Sequence, residues 1–371
     1  MLSAPEINDR YPAFITKLET NGIFVISLRP ESPDDFDIYI RKLGIITGCP
    51  EKAEERLEMF HEELDEVEKE AASSEIKPRA FIESSESGYL TPSSVTLPYN
   101  ALERADVNNA AEKKLNRRYK DKDIYFGIDR LKENKDTIDY YFLLRGGGNS
   151  AASKDSMYQK KDFRDFKAVK NGNVYEISEK ILDSYSFRYI TGVREIARMC
   201  HPDVFTDVSV YENDDALTRG SFANIVYRYL NVPTYINTNK DYYNYERFNH
   251  LYGTFEDVKW YDEDFDVIET IVSRKYLNFG SDENQNFCRD EKITRTEVAE
   301  FINILCDVHS SDNHTEIRDL TGTKTDSIIQ RVADNGLMDV RDGYFRPSDN
   351  MTNREFIEIL RSVTGERGEQ S

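Results

Sequence analysis

Three copies of one pattern constrain this chain more than any other feature. Thr218, Thr294 and Thr352 each precede a stretch with apolar side chains four, seven, eight and eleven residues further on. The sets are Phe222, Ile225, Val226 and Tyr229; Val298, Phe301, Ile302 and Leu305; and Phe356, Ile359, Leu360 and Val363. Those offsets fall on one face of an α-helix. Seven residues before each threonine stands an aromatic, Tyr211, Phe287 or Phe345. Each copy opens with apolar-x-Asp-apolar, at Phe205–Val208, Phe255–Val258 and Ile317–Leu320. One such unit leaves its apolar face uncovered, so the copies must pack on one another.

The helix starts have a local chemical cause. Thr294 with Glu297, and Thr352 with Glu355, form capping boxes in which hydroxyl and carboxylate satisfy otherwise unpaired amides. The first copy has Ser221 at the glutamate position, which predicts a weaker cap. It is also short: thirteen residues separate its opening phenylalanine from its threonine, against thirty-nine and thirty-five in the other copies. Its middle helix is therefore missing. The second copy carries Trp260, Ile268, Ile271 and Ile293–Glu297, and the third Gly343–Pro347 and Met351–Glu355. These residues resemble S-layer homology repeats. The resemblance implies an all-α module with repeats at 206–232 (incomplete), 255–309 and 317–364. It further implies a pseudo-threefold body whose grooves hold secondary cell-wall polysaccharide. Arg295 would be the main contact, helped by Arg219 and Trp260; the third copy has Asn353 at the arginine position, with Arg354 one later.

Before Phe205 the patterning changes. Phe14, Ile15 and Leu18 make a short helical face ended by Gly22. Ile23–Leu28 is nearly all apolar, which predicts a strand buried on both faces of a parallel sheet. Asp34–Leu43 reads as a helix leading to Gly44. Pro50–Ser73 is the clearest helix, with proline first, Glu51 in the opening turn and one seam of Ala53, Leu57, Phe60, Leu64, Val67 and Ala71. Taken in isolation it reads as a partner helix of a coiled coil, short at barely three heptads. Next come a strand at Lys77–Glu83, a polar loop at Ser84–Pro98, helices at Tyr99–Ala111 and Asp129–Asn134, and a strand at Ile138–Leu144. Loops after strand ends are where open α/β lobes hold ligands. The glycine-rich turn Arg145–Ser150 lacks a closing Gly-Lys-Ser/Thr, so it reads as a cleft-lining loop and not a phosphate loop. Arg145 would then meet an anionic ligand.

A turn at Asn171-Gly172 leads into a strand, Val174–Ile177. A helix with Ile190, Val193, Ile196, Ala197 and Cys200 on one face follows, stopped by Pro202. Lys167–Tyr175, Phe187-Arg188, Gly192–Ala197 and His201–Phe205 resemble the C-terminal end of the substrate-binding proteins of iron-siderophore, haem and cobalamin ABC importers. That resemblance implies the α/β lobes of a helical-backbone binding protein: a remnant of the N-terminal lobe at 1–48, the inter-lobe helix at 49–74 and the C-terminal lobe at 75–205. The earlier half of the first lobe is missing, as in a gene fragment, a late start or a true loss. Ligand contacts are expected at Tyr89, Arg145, Tyr185 and Arg188, and permease docking at Asp183 with Glu179 the near alternative. The implied partners are an ABC permease and a small metal chelate, haem or corrinoid, with no cofactor of the chain's own.

Composition narrows the remaining classes. A net charge of −20 disfavours nucleic acid and anionic lipid as partners. No apolar run approaches a membrane span, and the first twenty residues hold no apolar export core. Cys49, Cys200, Cys288 and Cys306 lie far apart and read as small hydrophobes, with a Cys288–Cys306 bridge left open. Asp307–His314 carries potential metal ligands but has linker composition, and the tyrosines of Asn239–Tyr252 suit packing or sugar stacking. No ordered nucleophile and base is present, so an enzyme is not expected. The reading is an extracellular, wall-anchored binding protein of an importer. The alternatives are a structural wall protein with a degenerate lobe and a wall-anchored hydrolase.

Overall fold

Buried seams, more than intrinsic propensity, decide where this chain becomes regular. The structure, a computed structural model, describes residues 2–3, 5–30, 32–111, 122–232, 234, 254–259, 262–276 and 286–365. Trp260 and the tyrosines of 239–252 lie outside those residues. The chain divides into two units, Met1–Val204 and Phe205–Ser371. Among the described residues no helix is long and apolar enough to cross a membrane.

The first unit begins with β1 (Leu2–Ser3), α1 (Pro5–Arg10), α2 (Pro12–Thr20) and β2 (Ile26–Ser27). β1 and β2 pair in parallel as a sheet of two short strands. The expectation of a strand buried on both faces is corrected: Phe24 is 86% exposed and Ile23 and Ile26 are also open. β2 is two residues long, both of them exposed, and β1, its neighbour in that sheet, is no longer. α3 (Phe36–Thr47) then runs through Gly44 and ends at Gly48, whose φ of 72° caps it. Gly44 is therefore no helix end. A side chain there would begin 2.6 Å from the Ala53 Cβ, because α3 packs backbone-close against α4 (Pro50–Ser73). All six seam residues of α4 are buried, as the spacing predicted. Phe36 and Phe60 lie 5.0 Å apart and Phe187 edges onto both at 5.6 and 5.7 Å, which ties α3 and α4 to a later loop.

The sheet of this unit is built from β3 (Arg79–Glu83), β5 (Asn108–Asn109), β7 (Tyr140–Arg145) and β8 (Val174–Ser178), all parallel in the order β5-β3-β7-β8. Between them the chain adds β4 (Leu90–Pro92), α5 (Leu97–Arg104), β6 (Asp123–Tyr125) and α6 (Ile128–Glu133); β4 and β6 form an antiparallel pair. The helix expected over Tyr99–Ala111 breaks early, because Asp106 takes a φ of 52° that no helix accommodates. α7 (Lys154–Gln159), α8 (Lys167–Lys170), α9 (Glu179–Leu182) and α10 (Tyr189–Cys200) complete the layers, and α11 (Pro202–Phe205) carries the chain over the division. Phe81, Tyr141, Leu143 and Val174 pack on one face with Met157, Phe163 and Phe166. Their neighbours Ala80, Ile82, Phe142 and Leu144 are buried on the other, the mark of a covered parallel sheet.

In the second unit, α12 (Arg219–Tyr229), α14 (Arg295–Leu305) and α16 (Asn353–Thr364) start at the three repeated threonines, each with a closed capping box. In the first copy Thr218 N donates to Ser221 Oγ at 2.9 Å, so serine closes the box with a neutral acceptor where the other copies use a carboxylate. α13 (Phe265–Ser273) packs on α12 and α15 (Asp326–Asp334) on α14. The residues before the three caps close a ring of backbone bonds: Leu217 N donates to Met351 O at 2.8 Å, Met351 N to Ile293 O at 3.2 Å, and Ile293 N to Leu217 O at 2.8 Å. Phe222, Phe301 and Phe356 meet behind this ring at centroid distances of 5.0, 5.1 and 5.8 Å. The opening aspartates have a defined task. Asp257 accepts from the amides of Phe287 and Cys288, and Asp319 from those of Phe345 and Arg346. Asp207 of the short copy accepts from Ser209 instead. All four cysteines are free thiols, and only Cys200 is buried.

Candidate functional site

Parallel strands end on one edge, and here β3, β7 and β8 end at Glu83, Arg145 and Ser178. Two loops leave directly from that edge, at 84–89 and 146–153, and a third, at 183–188, follows β8 after the single turn of α9. Glu83, which sequence reasoning missed, is fully buried at the root of the first. Its carboxylate accepts from the Tyr141 hydroxyl at 2.6 Å and from Asn149 Nδ2 at 3.2 Å, while Asn149 Oδ1 accepts from Glu86 N. One asparagine thus ties two loops together. Burial pushes the Glu83 carboxyl above its ordinary range, against the hydrogen bonds from Tyr141 and Asn149.

The glycine-rich loop is held by carboxylates. Arg145 donates to Glu176 at 3.0 Å and lies also against the Ala152 carbonyl, so its charge is already met. Lys154 N donates to the other Glu176 oxygen at 2.8 Å. Gly147 N donates to Glu179 at 3.0 Å, and a Cβ on Gly146 would lie 1.6 Å from that carboxylate. The loop amide that a phosphate would seek faces the chain's own anion. Arg145 and Glu179, expected as ligand and docking contacts, each hold a partner within the chain and stay partly exposed.

The other expected residues line the same rim. Tyr89 holds a φ of 50°, packs 5.6 Å from Phe163 and lies under the Lys160 ammonium, which pairs with Glu86 at 2.8 Å. Asp183 reaches solvent, yet the protein crowded around it raises its carboxyl above the usual range, opposed by Lys122 and aided by Asp123 and Glu179. Burial pushes the Tyr185 phenol up to about 12, with Asp183 adding to it and Arg29 opposing. Arg29 therefore brings the first 48 residues into the electrostatic reach of this rim, which no local pattern announced. Arg188 is exposed and, among the described residues, makes no ion pair.

The arginines of the second unit are not where a surface contact would be. Arg295 is 5% exposed. Its Nε donates to Phe345 O at 2.8 Å, its Nη2 to Asp339 O and Oδ1 at 2.9 Å, and its guanidinium lies 5.0 Å over the Phe345 ring. Arg219 is buried likewise, donating to Phe287 O at 3.1 Å and pairing with Glu291 at 2.8 Å. Asn353 meets Asn213 at 3.1 Å and accepts from Ser221. Each side chain clamps the aromatic-bearing loop of the next copy, with the acceptors tens of residues away. Arg354 is half exposed and pairs with Asp214 at 2.8 Å. His309 and Asp307 are exposed at 3.6 Å, and among the described residues no group of three metal-ligating side chains converges.

Residues 11–181 match the family model described as periplasmic binding protein. That match covers α2 through β8, the helix-rich part of the chain that holds the four-stranded parallel sheet. No curated protein matches the chain. Among solved structures, it is similar to a possible iron-binding, periplasmic solute-binding protein from Staphylococcus epidermidis, at 16% identity and a TM-score of 0.46 over 53% of this chain and 74% of that one. A periplasmic heme-binding protein from a Roseiflexus species gives 14% and 0.43 over 51% and 71%. A periplasmic vitamin B12 binding protein of Vibrio cholerae gives 16% and 0.40 over 54% and 72%.

Two outcomes follow for these side chains. Because the folded pKa of Glu83 is raised, its protonated form favours the fold. Its contribution is fully present in acid, below the ordinary carboxylate value of about 4.3, and is lost as pH rises through the folded value. Wild type should therefore lose stability relative to Glu83→Gln as pH rises from acid toward neutral, read by urea denaturation across that range. Arg295→Ala should destabilise the second unit by about 2–3 kcal/mol, since it strands buried carbonyls that a charged donor satisfied. Thermal melts showing no loss would return Arg295 to the surface role.

Proposed function

We propose that this chain is the substrate-binding protein of an ABC importer for an iron chelate, haem or corrinoid, acting outside the cytoplasm. The observation that carries the reading is the match of residues 11–181 to the periplasmic-binding-protein model, on a parallel sheet whose loop-bearing edge gathers Tyr89, Asp183, Tyr185 and Arg188. Asp183 is the acidic residue proposed to meet an arginine of the permease, being the more exposed of the two, while Glu179 accepts from Gly147 N.

The second unit is proposed to be an S-layer homology module that holds the protein to secondary cell-wall polysaccharide. Support comes from the ring of Leu217, Ile293 and Met351, which relates the three copies in rotation. Arg219 and Arg295 would shape the grooves from within, and Arg354 would offer the more accessible charge. The structural alternative, a wall component with a degenerate lobe, predicts anchoring without any ligand.

Native mass spectrometry of the intact chain with ferrioxamine, haemin and cyanocobalamin, paired with pelleting on purified wall sacculi, separates the readings. Retention of one ligand together with pelleting is expected. Pelleting without any ligand favours the structural protein, and retention without pelleting removes the anchor.

A further inference from the structure

The antiparallel β4–β6 pair holds an aromatic that no sequence pattern singled out. Tyr125 is 68% exposed, although it sits inside a strand and packs against backbone. Beneath it lie Gly88 and Gly127, with φ of 82° and 83°, joined by a hydrogen bond from Gly127 N to Gly88 O at 3.1 Å. A Cβ built on Gly88 would stand 3.0 Å from Cδ2 and Cε2 of the ring, and one on Gly127 2.9 Å from Cε1. No side chain fits between ring and backbone. The phenol is thus laid flat on a glycine shelf and held there. Packing consumes only part of its surface, as the exposure records.

The direction of the open surface follows from strand alternation. In β6, Ile124 is buried while Asp123 and Tyr125 are exposed, so the latter two share the outer face. Asp123 acts on the Asp183 carboxyl, and Asp183 in turn acts on Tyr185. Gly88 lies in the 84–89 loop of the rim, and Phe126 N donates to Tyr89 O at 3.3 Å, so the outer face of β6 borders that rim. A rigid aromatic face at the border of a binding rim suits a flat ring, because stacking gains dispersion and quadrupole energy without ordering a mobile side chain.

We propose that Tyr125 is a stacking platform for a ligand with a planar conjugated ring, of the porphyrin class, and sets the preference of this rim against compact, non-planar chelates. The inference rests on the binding-protein reading above. A hexadentate hydroxamate wraps its metal in a rounded shell and presents no such plane.

The test is absorbance titration of the intact chain with haemin, alongside native mass spectrometry with ferrioxamine. Wild type, Tyr125→Ala, Tyr125→Leu and Tyr125→Trp are compared, with thermal melts to confirm folding. Leucine covers the glycine shelf without a π face, and tryptophan keeps a π face. Haemin affinity should fall about tenfold for alanine and leucine and stay within about threefold for tryptophan. Equal haemin binding by the leucine variant and wild type would overturn the platform while leaving the binding-protein reading intact. Ferrioxamine retained by wild type, with haemin ignored, would overturn the ligand class alone. Neither probe bound by wild type would overturn both.

Discussion

An amphipathic element is stable only where another element covers its apolar face, and both units follow from that constraint. In the second unit three copies cover one another in rotation. The cyclic bonds among Leu217, Ile293 and Met351 close the ring, and Phe222, Phe301 and Phe356 fill the space behind it. In the first, the four-stranded parallel sheet is buried on both faces, and α4 is seated through its six-residue seam. Where cover is lacking, order thins: β1 and β2 are two residues each, and Phe24 stands in solvent.

The same constraint decides which polar groups are free for function. Buried polar atoms need partners, so Glu83, Asn149, Arg219 and Arg295 are occupied in holding loops together. In the first unit, what Glu83 and Asn149 leave free is the proposed rim. There Asp183 and Tyr185 are crowded yet reach solvent, and Tyr125 lies flat and open. Loops tied down from below and bare on top would lower the ordering cost of binding at the proposed site.

Local regularities were legible in the sequence. The α4 seam and the three threonine caps depend on side chains within a turn of one another, so spacing alone reveals them. Gly44 was misread as a helix end because its cause, the Ala53 side chain, belongs to the neighbouring helix. The burial of Arg295 was not legible, because its acceptors, Phe345 and Asp339, lie more than forty residues on. The exposed run Ile23–Leu28 carried a buried pattern, but pattern shows what a strand needs and not whether a partner is there. For the rim, Tyr89 and Asp183 were reached by resemblance. Glu83 and Tyr125 emerge only once the loops are folded over them.

Native-state hydrogen exchange of the intact chain tests this dependence on cover most directly, because each amide reports the free energy of its own opening. The amides of Leu217, Ile293 and Met351 should exchange only with unfolding of the second unit, and those of β7 only with unfolding of the first. Amides across residues 23–28 should exchange far faster than either group. Protection of 23–28 equal to that of β7, or ring amides exchanging as fast as surface loops, would contradict it.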